Sequence, residues 1–214
     1  MFIVYTYGQD KSYRGYLAFQ NYDNKKFPVN KLNQLYGEAL HFFSDKIVLK
    51  YNKFPGTCLS PTSRLYNFLI EEDVISGYVD IYEKEKIPNS KGYLSREDFV
   101  KDLKKEVKLY FVGSVAHDTR YKAYIFKYYK KIGGLTILKE LMVNIKDNHV
   151  TSILVFAKTC LSDFGYKQFT IFLGENEFIH KVKTLYSDVI GVEEVEEEPI
   201  YFRINSEGFV IVQE

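Results

Sequence analysis

From Val150 onward the chain is written in short β-branched and aromatic runs, and this texture limits the fold more than any other feature. "VTSILVFAKT", "YKQFTIFL", "DVIGVEEV" and the hairpin-like "PIYFRINSEGFVIVQE" each have strand length and end at Gly, Pro, Asn, Asp or Ser. One stretch among them, "ENEFIHKVKTLY", has helical spacing. The N-terminal end is similar: "FIVYTY" and "YRGYLAF" flank a polar "GQDKS" turn, and "KIVLKY" and "SGYVDIYEK" are further strand candidates.

Helical patterns lie between these runs. "NKLNQLYGEALHFF" places Leu32, Leu35, Tyr36, Ala39, Leu40 and Phe43 on one face behind Asn30 as N-cap. "SPTSRLYNFLIEE" opens on Ser60 as cap and Pro61 at the first helical position. "SREDFVKDLKKEVKLY" starts with Ser95 and Asp98 in capping-box spacing. Two more helices are expected, over 120–132 and 135–147, separated by Gly133-Gly134. Strands and helices in mixed order, without regular β-α alternation, predict an α+β fold. Its sheet is mixed or antiparallel, with a central helical segment over about residues 95–147 and a β-rich C-terminal third. One domain over 1–214 is expected, with an α/β lobe at 1–88 and the helical segment plus C-terminal sheet at 89–214. The break is placed at "IPNSKGY".

With 46% apolar residues and a net charge of +1, the chain can bury a core and lacks the composition of a disordered segment. No apolar run reaches the ~18 residues of a membrane span. The start of the chain has no basic flank of the kind a secretory signal carries. Two cysteines, Cys58 and Cys160, make neither a disulfide framework nor a four-cysteine zinc site, and free thiols suit the cytoplasm. One Cys58–Cys160 bridge stays open. The charge is uneven: residues 147–214 hold five basic against twelve acidic residues, a net −7, including the tract "EEVEEE". Such a tract suits a solvated strand edge.

The segment "RYKAYIFKYYKKIGG" mixes cations with rings and carries no acid. On a helical wheel Tyr121, Tyr124, Ile125, Tyr128, Tyr129 and Ile132 fall on one side. Arg120, Lys122, Lys127, Lys130 and Lys131 fall on the other, with Phe126 among them. The expectation is a basic helix face at these six residues, contacting a protein partner or a nucleic-acid backbone, RNA included. A second copy of the chain is a further expected partner, and no membrane is.

Two constellations carry the alternative of a small phosphoester-processing enzyme. "CLSPTSR", Cys58 to Arg64, resembles the Cys-x5-Arg signature of cysteine-dependent phosphatases. That resemblance implies Cys58 as thiolate nucleophile, with the loop amides and Arg64 gripping phosphate, although Pro61 removes one of those amides. His117-Asp118-Thr119 and His149-Val150-Thr151 are similar to the paired His-x-Thr motifs of two-histidine phosphoesterases. This implies His117 and His149 as acid and base. No metal-ligand spacing and no Gly-rich nucleotide loop occurs, so neither metal nor cofactor is expected. The overall expectation is a non-catalytic binding or accessory protein.

Overall fold

A computed structural model describes residues 17–28, 38–39, 56–76, 95–117, 121–132, 135–161, 165–187 and 192–213. The strands expected over 2–7 and 46–51, most of those over 13–19 and 76–84, the "IPNSKGY" break and Gly133-Gly134 lie outside these residues. So does the expected 30–43 helix, apart from Glu38–Ala39.

The elements in chain order begin with β1 (Ala18–Lys26), β2 (Glu38–Ala39) and β3 (Thr57–Cys58). Helices α1 (Arg64–Glu71), α2 (Asp73–Ser76) and α3 (Arg96–Glu106) follow. Nine strands follow among the described residues: β4 (Val107–His117), β5 (Tyr121–Ile132), β6 (Leu135–Lys146), β7 (His149–Leu161), β8 (Gly165–Gly174), β9 (Glu177–Ser187), β10 (Val192–Glu196), β11 (Ile200–Ile204) and β12 (Val210–Val212). They form a single sheet in the order β12-β11-β9-β8-β7-β6-β5-β4-β2, with β1 on β7, β3 on β4 and β10 on β9. Every pairing is antiparallel except β2 with β4.

The fold is therefore β-rich, and the expected α+β arrangement with a helical centre is corrected. Among the described residues of 95–147, only Arg96–Glu106 is helix; it passes directly into β4. The segments read as helices over 120–132 and 135–147 are the long neighbouring strands β5 and β6, and "ENEFIHKVKTLY" is a turn followed by β9. The reason is burial on both sides. α1, α2 and α3 cover one face of the central strands, where Tyr66, Leu69, Phe99 and Leu103 pack on Phe111, Phe126, Tyr128 and Leu141. The other face packs Ile125, Met142, Leu154 and Phe156 with Phe178, Phe202, Ile204 and Val210 of the C-terminal strands. A strand buried on both faces loses the in–out alternation that marks a strand.

Two turns set these hairpins. Asp147 and Asn148 have φ of 49° and 64°, and Glu175 and Asn176 have 51° and 64°. Two successive left-handed residues make the turn whose twist matches a two-residue hairpin.

The C-terminal hairpin is anchored by side chains. The Asn21 amide nitrogen donates to Val210 O, and its oxygen accepts from Val210 N, both at 2.9 Å. Ser152 Oγ donates to Gly208 O at 2.6 Å, and Asn144 Nδ2 donates to Ser152 Oγ at 2.8 Å. Asn205 Oδ1 accepts from the amides of Glu207 and Phe209, closing the β11–β12 turn. β7 is shared: its first half pairs with β1 and its last residues with β8. The C-terminal strands therefore pack across the central sheet and present a second, outward surface.

Candidate interaction face

The expected basic face is dispersed. Phe126, Lys127 and Lys130 are buried, while Lys122 and Lys131 are exposed. Arg120 lies outside the described residues. On a strand, residues two apart share a face. Lys122, Phe126 and Lys130 thus belong to one face of the sheet, and Lys127 and Lys131 to the other.

The buried cations tie the layers together. Lys139 Nζ donates to Ile75 O at 2.8 Å and stands 4.8 Å from the Tyr128 ring, which joins the sheet to α2. Lys130 Nζ lies 3.8 Å from Glu106 Oε2, at the end of α3, and 5.9 Å from the Phe99 ring. Lys127 faces Glu140 across β5 and β6 at 4.0 Å. Burial pushes the Glu140 carboxyl up to about 7, and Lys127 pulls it back. Lys158, the cross-strand partner of Lys139, is lowered to about 8 by burial, with Cys160 acting the other way. Thr170 Oγ1 donates to Phe156 O at 2.6 Å, so it accepts from His180 Nδ1 at 3.0 Å. Burial lowers His180 to about 4.

The loop between Cys58 and Arg64 is closed on itself. The Leu59 amide donates to Leu109 O, Thr62 N to Ser60 Oγ and Ser63 N to Ser60 O. Position 61 is proline. A phosphate held by this loop would need several outward amides, and most are engaged or missing. Ser63, rather than Ser60, caps α1, accepting from Tyr66 N, with Arg64 as its first residue and exposed. Cys58 and Cys160 are free cysteines, the first exposed and the second buried.

His117 and His149 stand at the same end of the sheet, at the end of β4 and the start of β7. β5 and β6 separate them, which is three strand spacings, or roughly 14 Å. The two histidines are therefore carried by strands that are not neighbours. His149 Nδ1 is 2.9 Å from Asp147 O, inside its own turn. Among the described residues no three His, Cys, Asp or Glu side chains gather as a metal site. Nor is any helix there long and apolar enough to cross a membrane.

What the structure does assemble is an apolar stripe on the outward side of the C-terminal strands. Ile171, Ile179 and Tyr201 are direct cross-strand neighbours on β8, β9 and β11. Tyr201 is 46% exposed, Leu173 beside the β8–β9 turn 52%, and Ile211 on β12 36%. Ile179, between Ile171 and Tyr201, is only 8% exposed, so its neighbours shield it. Glu177 and Arg203, cross-strand partners and both exposed, border the stripe at one end. At the other, Lys181 and Lys183 pair with Glu196 of β10 at 2.9 and 3.7 Å, so part of the acidic tract serves the protein's own surface. A solvated strand face carries polar residues at its outward positions. The signal was therefore in "YKQFTIFL" and "PIYFRINSEGFVIVQE", whose outward positions hold Ile171, Leu173, Tyr201 and Ile211.

Comparison with known proteins returned no matching family model, no similar curated protein and no similar solved structure.

Proposed function

We propose that this protein acts by binding another protein through the outward face of β8, β9, β11 and β12. The observation that carries this reading is the in-register stripe Ile171–Ile179–Tyr201, continued by Leu173 and Ile211. Exposed apolar side chains grouped on one surface and rimmed by charge are the composition of an interaction site. A protein partner is favoured over a nucleic-acid backbone because Lys127 and Lys130 are buried in the fold. Phosphate contact needs cations gathered on one accessible surface. Binding is favoured over phosphoester chemistry because the amides of Leu59, Thr62 and Ser63 are engaged within the fold, position 61 is proline, and β5 and β6 lie between the strands that carry His117 and His149. Free cysteines suit a reducing compartment, and the cytoplasm is the location proposed.

The test is a comparison of partners co-purifying with a tagged wild-type chain, with Tyr201→Lys/Ile211→Lys, and with Lys122→Glu/Lys131→Glu. The reading expects proteins bound by the wild type and by the lysine variant to be lost from the face variant. An unchanged set on the face variant would overturn it.

A further inference from the structure

The charges bordering the stripe indicate what sits on it. Glu177 on β9 and Arg203 on β11 are direct partners, as are Ile179 and Tyr201 in the next outward row. One strand further out on each side, β8 supplies Leu173 and β12 supplies Ile211, the partner of Arg203. Draw a line parallel to the strands, midway between β9 and β11. Across it acid answers base, Ile179 answers Tyr201, and Leu173, in the β8 bulge, answers Ile211, while Ile171 is matched by Gln213.

A surface arranged in this way is complementary to itself. A two-fold axis along that line, in the plane between two molecules, lays Glu177 of one over Arg203 of the other, and does so twice. The same operation sets Ile179 over Tyr201 and Leu173 over Ile211. We infer that the partner on this face is a second copy of the chain, docked sheet on sheet about this axis. The inference rests on the protein-binding reading above and adds its partner and geometry. Closed two-fold contact is the commonest symmetry of homo-oligomers, and aligned face-to-face packing holds two sheets ~10 Å apart. Four strands by two rows is a small face beside the ~800 Å² per partner of a standard interface, so the dimer assembles at high protein concentration.

The experiment is sedimentation velocity on the full chain over ~1–500 µM, at ~50 mM salt so that the charges are little screened. Wild type shifts from monomer to dimer across the series. Glu177→Arg and Arg203→Glu, each alone, bring like charges together on both sides of the axis and weaken association by ~10-fold or more. An equimolar mixture of the two single variants restores it to within ~3-fold, because each chain then offers what the other lacks. Such rescue is specific to a face that meets itself; unmoved thermal unfolding of each variant shows that the fold is intact. A mixture that stays monomeric, or single variants that dimerise like wild type, overturns the inference. A wild type that stays monomeric overturns it as well, yet leaves the protein-binding reading to the co-purification comparison.

Discussion

Asn21 and Val210 stand 189 positions apart in the chain, and one side-chain amide of Asn21 engages both the N–H and the C=O of Val210. The amide imitates one residue of a neighbouring strand at the edge of β12 and holds the C-terminal hairpin to β1. Asn21→Leu removes both hydrogen bonds and leaves the Val210 groups unpaired. The loss expected is about 2 kcal/mol of unfolding free energy, read by urea denaturation. Asn21→Asp retains the acceptor and loses the donor, so it falls between wild type and Asn21→Leu.

Gly208 is the second point where the hairpin depends on one residue. Its φ is +86°, and an added Cβ would stand 2.4 Å from Thr151 Oγ1. That hydroxyl lies within hydrogen-bonding reach of Asn144 O and Gly208 O, so it cannot swing aside freely. Gly208→Ala combines left-handed strain with a clash and should cost about 2–4 kcal/mol. Gly174, at φ +122° with open space around its Cβ position, carries only the conformational part. Gly174→Ala is therefore the milder of the two in thermal unfolding.

Amine labelling of the folded chain, read by mass spectrometry, separates a strand from a helix at β5. Lys122 and Lys131 should label readily and Lys127 and Lys130 slowly, because the latter pair is buried. A helix with one basic face would label Lys127, Lys130 and Lys131 alike. Lys130→Glu would also place a carboxylate at a buried position beside the half-exposed Glu106, with a loss of about 3 kcal/mol or more.

The pH dependence follows from two buried groups with opposing effects. His180 is near 4 in the fold against ~6.5 in an unfolded chain. Between those values the unfolded state binds more protons, and stability rises with pH. Glu140 is near 7 in the fold against ~4.3 unfolded. There the folded state binds more protons, and stability falls as pH rises. The two slopes oppose each other from about pH 4.5 to 6.5, so this pair contributes little net change there. Glu140→Gln removes the falling arm, and its stability should climb by about 1.4 kcal/mol per pH unit across the window. Urea midpoints at three pH values check this; a slope unchanged from wild type would contradict it.

Where local signals and burial agree, the fold is legible in the residues. Ser95 caps α3 and accepts from Asp98 N, as the capping-box spacing predicts. The apolar runs at β7 and β8 and the terminal hairpin are also strands. Legibility fails at β5 and β6, where both faces are covered and lysines occupy interior positions. Tyr124, Ile125, Phe126 and Tyr128 have the ring and branch content of a strand, yet a wheel can sort them from the lysines equally well. The turns that decide the matter, Asp147-Asn148 and Glu175-Asn176, contain no glycine at their left-handed positions. Asn and Asp tolerate that conformation, but they mark it less plainly than an Asn-Gly pair. The candidate face was hidden for a related reason: outward residues on four strands become one stripe only when the register is known.

Hydroxyl-radical footprinting tests the central claim most directly, by comparing the isolated chain at low concentration with the chain bound to its partner, a second copy or another protein. Oxidation of Leu173, Tyr201 and Ile211 should fall on binding, while that of Tyr129 on the central sheet stays unchanged. Protection centred on Lys122 and Lys131, with the three face residues as reactive as before, would contradict it.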